Sequence, residues 1–231
     1  MSPKRRVILL TSVLGALGIS VSLIIIAIGG GFSGPAPSLL SPPSPADLWT
    51  VGEGAQNGSR MAYILTAASP AGESLVDSRV FMNFIGGGND SWKVNFTVMN
   101  GTLRYTGDVL LSKEYLTNKQ SPEGNLSAVY GLIESSLLDV RNFAREPKYL
   151  VPGAVWDTVS SGALTSPIRI VGEDSIMVGN TSVDSYTLQY EFPSETSRTW
   201  VAHGYPLPVM AEVGNSSGST GYVFKLQRYE G

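Results

Sequence analysis

Apolar and polar residues alternate strictly through the middle of the chain, and this pattern predicts β-strands. The apolar positions of three successive runs are Val80, Met82 and Phe84, then Trp92, Val94, Phe96 and Val98, then Leu103, Tyr105, Val109 and Leu111. A period of two residues is typical of a strand with one buried face. Gly86-Gly87-Gly88-Asn89 and Asn100-Gly101 separate the runs and suit the positive φ angles of hairpin turns. The pattern therefore predicts an antiparallel meander that is covered on one face.

A helical period follows the meander. The apolar positions are spaced by four, three, four and three residues and are Leu126, Tyr130, Ile133, Leu137 and Val140. This spacing places them on one face of an amphipathic helix. Ser121 and Pro122 are typical of a helix start, and Pro147 limits its end. Further strands are predicted at 168–171, 175–178, 185–192, 199–202, 207–213 and 222–228, so we expect a mainly β domain with one principal amphipathic helix.

The N-terminal part of the chain predicts a membrane anchor. Residues 7–28 carry no charge, and a helix of this length spans about 33 Å, enough for a bilayer core of about 30 Å. The alternative is a cleaved secretory signal, whose apolar region is shorter, about 7 to 15 residues. Lys4, Arg5 and Arg6 precede the span and no basic residue follows until Arg60. The positive-inside rule therefore predicts a single-pass protein of the cell membrane with residues 1–6 in the cytoplasm.

The remaining chain is divided into a spacer and an extracellular domain. Residues 29–47 are rich in Gly, Pro and Ser, a composition that predicts an extended stalk. Residues 48–231 are then the β-rich domain outside the cell. The fold class is thus a mainly β ectodomain on a single N-terminal transmembrane helix.

Glycosylation sequons are the strongest chemical signal in the chain. The N-x-[ST] acceptors are Asn57, Asn89, Asn95, Asn100, Asn125, Asn180 and Asn215. The frequency of Ser and Thr alone would give about two by chance, and clustering of Asn, Ser and Thr in turns would raise that number but hardly to this level. We therefore expect a heavily N-glycosylated surface. The chain also has no cysteine, and a glycosylated exterior without disulfides favours an archaeal cell envelope.

Composition excludes several function classes. The absence of cysteine and the single histidine, His203, argue against disulfide scaffolds, thiol catalysis and multi-histidine metal sites. The net charge of -3 argues against a nucleic-acid partner, because phosphate binding needs a basic face. A glycan hydrolase with two carboxylates is the remaining enzymatic interpretation, but no sequence motif supports it. We expect no enzymatic activity, no cofactor and no metal.

One stretch of the C-terminal third resembles a known group of domains. It reads Ser185-Tyr-Thr-Leu-Gln-Tyr190, then Thr199-Trp-Val-Ala-His-Gly-Tyr-Pro-Leu-Pro-Val-Met-Ala-Glu212. This succession of strand, Trp-Val, turn, Leu-Pro-Val and strand resembles extracytoplasmic lipoprotein-carrier domains, over about residues 150–231. The resemblance implies a curved antiparallel half-barrel whose concave side, closed by helices, holds an acyl chain or a hydrophobic peptide. The residues expected to line such a cavity are Phe84, Phe96, Tyr105, Tyr130 and Ile133.

These observations predict an N-glycosylated, membrane-anchored cell-envelope protein that acts as a noncatalytic binding or assembly module, such as an accessory subunit of a membrane or surface complex. The alternative is an extracytoplasmic carrier with a lipid or lipoprotein ligand. The expected partners are the bilayer, through residues 7–28, and a membrane or envelope protein. Glycans shield the surface around them, and the segment from Tyr149 to Ser175 has no sequon. We therefore expect protein contacts at this segment, together with the membrane helix.

Overall fold

The computed structural model describes residues 44, 47–68, 75–120, 122, 124–161, 163–193, 195–214 and 220–231. All of them belong to the compact unit Pro43–Gly231. The predicted cytoplasmic residues 1–6, the membrane span 7–28 and most of the stalk lie outside the described residues. Within the described ranges, no helix combines the length and the apolar character needed to cross a membrane.

The domain is built on one large antiparallel sheet, as the sequence predicts. Its strands are β2 (Arg60–Ala68), β3 (Arg79–Gly86), β4 (Ser91–Asn100), β5 (Leu103–Ser112), β6 (Asn118–Gln120), β8 (Val155–Ser161), β9 (Leu164–Val178), β10 (Thr181–Phe192), β11 (Glu195–Val201), β12 (Met210–Gly214) and β13 (Thr220–Glu230). Two short strands, β1 (Leu48–Trp49) and β7 (Lys148–Tyr149), form a separate antiparallel pair. The prediction of a mainly β fold with a large antiparallel sheet is confirmed.

The order of strands joins two meanders side by side. Neighbours across the sheet run β6-β5-β4-β3-β2-β13-β12-β11-β10-β9-β8. Strands β2 to β6 and strands β8 to β13 are therefore each consecutive in the chain, and the antiparallel pair β2–β13 connects them, with Met61 opposite Tyr229. The two ends of the sheet are β6 and β8.

The predicted alternation gives the buried face of the first meander. Val80, Met82, Phe84, Val94 and Phe96 are all buried. The apolar positions nearest the turns depart from this pattern, since Trp92 and Tyr105 are half-buried and Leu103 is exposed. Cover by the helical segment therefore reaches the middle of the strands and ends towards the hairpins.

The helix is shorter than predicted. Helix α1 spans Ser127–Glu134, between two 3-10 helices at Gly124–Leu126 and Asp139–Asn142. The Oγ of Ser136 donates a 2.6 Å hydrogen bond to the carbonyl of Leu132, and serine hydroxyls that bond to the backbone compete with helix continuation. The predicted apolar stripe is buried throughout even so, at Leu126, Tyr130, Ile133, Leu137 and Val140. The buried face is thus predicted correctly, but the continuous helix is not.

Candidate functional site

The two edges of the sheet differ in how they are protected. Strand β6 has three residues and carries Lys119, whose ammonium pairs with Asp90. Strand β8 has seven residues, with the sequence VWDTVSS, and contains neither Lys nor Pro. Natural sheets usually protect edge strands with short length, Lys or Pro, because unpaired backbone groups there can recruit another strand. Strand β8 lacks these three devices.

Two side chains cover part of the β8 edge. The Nζ of Lys148 donates a 3.0 Å hydrogen bond to the carbonyl of Trp156, and the amide of Thr158 donates a 2.7 Å bond to Oδ1 of Asp157. Backbone groups of alternate residues in an edge strand point away from the sheet. The carbonyl of Thr158 and the backbone of Ser160 therefore face the open side of β8.

A cleft of about 270 Å³ lies beside this edge. Strand β8 contributes Asp157, Val159 and their neighbours, and the 3-10 helix contributes Asp139 and Asn142. Burial raises the pKa of the Asp139 carboxyl, although a hydrogen bond from Asn142 and the charge of Arg141 act in the opposite direction. No ion pair involving Asp139 or Asp157 occurs among the described residues. The cleft therefore presents two carboxylates that form no ion pair with the Lys and Arg side chains described in the structure.

The segment without sequons carries much of the exposed apolar surface. Tyr149, Val155, Leu164 and Val171 are between 42% and 63% exposed. Trp156, by contrast, is buried, and its ring stacks on that of Trp49 at a centroid distance of 5.7 Å. Val155 and Val171 lie on the outward side of β8 and β9, whereas Leu164 is in phase with Ile168 and Ile170 and is exposed at the start of β9. The sequence does not distinguish them from the core residues Ile168 and Ile170.

The residues predicted to line a ligand cavity lie mainly in the packed core. Phe84, Phe96, Tyr130 and Ile133 are buried, and Tyr105 is half-buried. The rings of Phe96 and Tyr130 meet edge to face at 5.6 Å. The cavity between the sheet and α1 measures about 10 Å³, roughly the space that one water molecule needs.

A partly buried polar cluster ties this helical segment to the β6 edge. The Tyr130 hydroxyl donates a 2.8 Å hydrogen bond to Oδ1 of Asn118. The guanidinium of Arg141 donates to that oxygen at 3.2 Å, to the carbonyl of Leu116 at 3.0 Å, and also pairs with Glu134. Burial raises the pKa of Tyr130 to about 12. The sequence gives no signal for this cluster, because its members are brought together only by the packing of the helical segment on the sheet.

The sequon asparagines occupy different environments. Asn57, Asn89, Asn125 and Asn180 are exposed, Asn95 and Asn100 are half-buried, and Asn215 lies outside the described residues. Asn125 uses both atoms of its amide, since Oδ1 accepts from the amide of Thr106 at 2.8 Å and Nδ2 donates to the carbonyl of Arg104 at 2.9 Å. These two hydrogen bonds anchor the helical segment to β5.

The described residues hold no group of three or more His, Asp or Glu side chains that could bind a metal. His203 is exposed, and its ring meets that of Tyr186 edge to face at 6.3 Å. Comparison with protein-family models, curated proteins and solved structures found no match to this chain. The resemblance of residues 185–212 to lipoprotein-carrier domains therefore stays a prediction.

Proposed function

We propose that this chain is a single-pass, N-glycosylated protein of the cell envelope whose β-rich domain acts as a noncatalytic assembly module. In this proposal, residues 7–28 anchor it and residues 48–231 lie outside the cell. The domain is an accessory subunit of a membrane or surface complex. The observation that carries the proposal is the open β8 edge, which lies in the longest part of the domain without a sequon.

The partner that this edge suits is an extended protein segment. The carbonyl of Thr158 and the backbone groups of Ser160 can continue the sheet onto an added strand, which is a common mode of peptide recognition. The exposed side chains of Val155, Leu164 and Val171 offer apolar area beside it. No sequon lies within β8 or its neighbour β9.

Charge complementarity specifies the chemistry of that segment. The cleft beside β8 contains Asp139 and Asp157, so a Lys or Arg side chain of the added strand would find two carboxylates. A second copy of this chain pairing through β8 would bring no cation, because the strand sequence VWDTVSS has none. We therefore favour a basic, extended segment of another envelope protein over self-association.

A lipid carrier with a half-barrel cavity is the alternative function. It requires a space that can hold an acyl chain, whereas the cavity at the predicted position measures about 10 Å³. A lipid would have to displace buried core side chains such as Phe96 and Tyr130. This packing supports the assembly module in preference to the carrier.

The binding experiment uses the full chain in mild detergent and a labelled eight-residue peptide of alternating Val and Thr with one central Lys. We expect saturable binding in fluorescence anisotropy, and at least about tenfold weaker binding in the double variant Asp139→Asn, Asp157→Asn. The Ser160→Lys variant adds a charge at the open edge and should abolish binding. Thr165→Lys is the matched control, because Thr165 lies opposite Ser160 on the inner neighbour β9 and is also exposed.

Several outcomes would count against this proposal. Equal binding of a peptide with Glu in place of Lys would remove the role of the two carboxylates. Binding that survives Ser160→Lys would remove the role of the edge. A dimer in analytical ultracentrifugation that Ser160→Lys dissociates would assign the edge to a second copy. Release of the native protein from membranes by alkaline carbonate would refute the anchor.

A further inference from the structure

The outward face of the first meander carries a further cavity, far from the β8 edge in the strand order. It measures about 270 Å³ and opens between strands β13, β2, β3 and β4. Across the strands, Asn95 lies opposite Asn83, Asn83 opposite Arg60, and Arg60 opposite Glu230. These four residues therefore form one row across the strands, along one side of the cavity. We call it the polar row.

An apolar platform lies beside the polar row. Phe81 and Ala62 are opposite each other on β3 and β2, and both line the cavity. Phe81 is 37% exposed, which is unusual for a ring of this size in the middle of a strand. The cavity thus combines an apolar surface with amide and charged groups, the combination that binds small polar molecules with a non-polar face.

One of the residues that line the cavity, Asn83, carries a side-chain atom without a hydrogen-bond partner. The Oδ1 of Asn83 is buried and accepts no hydrogen bond in this structure. Buried polar atoms in folded proteins are nearly always paired, because an unpaired acceptor has lost its water without replacement. An amide oxygen only accepts hydrogen bonds, so the missing group must be a donor.

The sequon at Asn95 identifies an occupant. Asn95 lines the cavity and is followed by Phe96 and Thr97. We propose that the cavity binds the first sugars of a glycan on Asn95. This inference rests on the proposed glycosylation of the domain. A sugar ring has C–H groups that can pack on Phe81, and its hydroxyl groups can donate to Oδ1 of Asn83 once that amide turns towards the cavity.

The remaining contacts of Asn95 are compatible with this modification. Its Nδ2 donates a 2.8 Å hydrogen bond to Oδ1 of Asp108. A primary amide has two N–H groups, so attachment of a sugar to one leaves the other free to donate to Asp108. The asparagine can therefore stay fixed to β5 while its glycan lies over β3 and β2.

The charges of the cavity favour a neutral sugar over a free anion. Arg228 lines the cavity but pairs with Glu230, so part of the positive charge is already compensated. Arg60 and Glu230 together provide both donors and acceptors, which suits a ring with several hydroxyl groups. A simple anion would use the arginines and leave the Phe81 platform uncovered.

The experiment compares thermal unfolding of the full chain made with and without glycosylation, in its native host and in a bacterial cytoplasm. Peptide mass spectrometry first establishes occupancy of Asn95. The glycan-dependent gain is the difference in Tm between the two preparations. We expect Thr97→Ala, which removes only the sequon at Asn95, to reduce this gain by at least about 2 °C, a measurable shift for a domain of this size.

Matched variants separate the cavity from glycosylation in general. Ser182→Ala removes the sequon of the exposed Asn180 and should change the gain by less than Thr97→Ala does. Phe81→Ala and Asn83→Ala keep the sequon and should reduce the gain, because they remove the platform and the acceptor. Comparing gains cancels any direct effect of a substitution on the fold.

Three results would overturn the inference, in distinguishable ways. An unoccupied Asn95 with occupied Asn89 and Asn180 would refute the cavity glycan but leave the glycosylated surface intact. If Asn95 is occupied but Phe81→Ala and Asn83→Ala leave the glycan-dependent gain in Tm unchanged, binding of the glycan in the cavity is refuted. The proposed glycosylation then still stands. No occupied sequon at all would refute the proposed glycoprotein as well.

Discussion

The indole of Trp200 on β11 donates a 2.8 Å hydrogen bond to Oδ2 of Asp174, two strands away on β9. The intervening strand β10 contributes Thr187, whose hydroxyl donates to the same oxygen at 2.6 Å. These two hydrogen bonds are the main reason that the pKa of Asp174 is lowered. One exposed carboxylate thus fixes three neighbouring strands, and it does so through donors that are themselves buried.

We expect Asp174→Ala to lower the free energy of unfolding by about 1–3 kcal/mol, because the buried Trp200 N–H and Thr187 hydroxyl lose their acceptor. Asp184→Ala on β10, which removes an exposed carboxylate, is the control and should change it by less than about 0.5 kcal/mol. Urea unfolding at pH 7 measures both. The lowered pKa adds a pH signature: the contribution is complete above about pH 4, the unfolded value, and is lost as pH falls through the folded value. Equal effects of the two substitutions at pH 7 would refute this role.

The buried Arg141 and the exposed Lys93 allow a comparison of two ion pairs. The side chains of Arg141 and Glu134 are 8% and 40% exposed, and those of Lys93 and Asp108 are 50% and 42% exposed. Removal of a buried partner leaves other groups unpaired, so Arg141→Met should cost about 3 kcal/mol. Lys93→Met should cost about 0–1 kcal/mol. Denaturant unfolding of both variants tests this, and a similar loss for the two would contradict it.

We expect ionisation of Tyr130 to contribute to a loss of stability at alkaline pH. Its raised folded pKa of about 12 exceeds the unfolded value of about 10. Its contribution is therefore complete below about pH 10 and declines as pH rises towards the folded value. In Tyr130→Phe the ring is retained, so we expect a cost of about 1 kcal/mol at pH 7 from the lost hydrogen bond and a smaller decline between pH 10 and 12. A decline identical to that of the unmodified protein would show that Tyr130 does not titrate with unfolding.

We expect substitutions of Asn125 and Asn180 to differ in their effect on stability even in the absence of glycans. In protein made without glycosylation, Asn125→Ala should cost about 1–2 kcal/mol, because the amide of Thr106 and the carbonyl of Arg104 each lose a partner. Asn180→Ala removes an exposed turn residue and should cost less than about 0.5 kcal/mol. Thermal unfolding of the two variants is the measurement. An unchanged stability of the Asn125→Ala variant would show that Asn125 has no structural role and serves only as a glycosylation acceptor.

The first meander could be predicted from the sequence because its buried face has a clear period. Val94 and Phe96 alternate with Lys93 and Asn95, and both buried positions are as expected. Strand β2 was not predicted. Its buried Met61, Tyr63 and Leu65 alternate with residues that include the apolar Ala62 and Ile64, so no polar period appears.

The sites were less predictable than the strands, because they depend on register. Asn95 is visible as a sequon, but its position opposite Asn83 follows only from how β3 and β4 are aligned. Arg60 and Glu230 are adjacent only through pairing between distant parts of the chain. Likewise, the proximity of Asp139 and Asp157 in the cleft depends on where the helical segment ends and its second 3-10 helix begins. The residues themselves can be read from the sequence, but which of them lie close together cannot.

Because β2 and β13 are neighbours in the sheet but distant in the chain, we expect the two meanders to join late in folding. Pairing within each meander closes short loops, whereas the β2–β13 pair closes a loop that includes nearly the whole domain, and loop-closure entropy makes such contacts slow to form. The Asn95 cavity spans this junction, with Asn95, Asn83 and Arg60 on one side and Glu230 on the other. We therefore expect this cavity to form only at a late step of folding, after Asn95 has been synthesised.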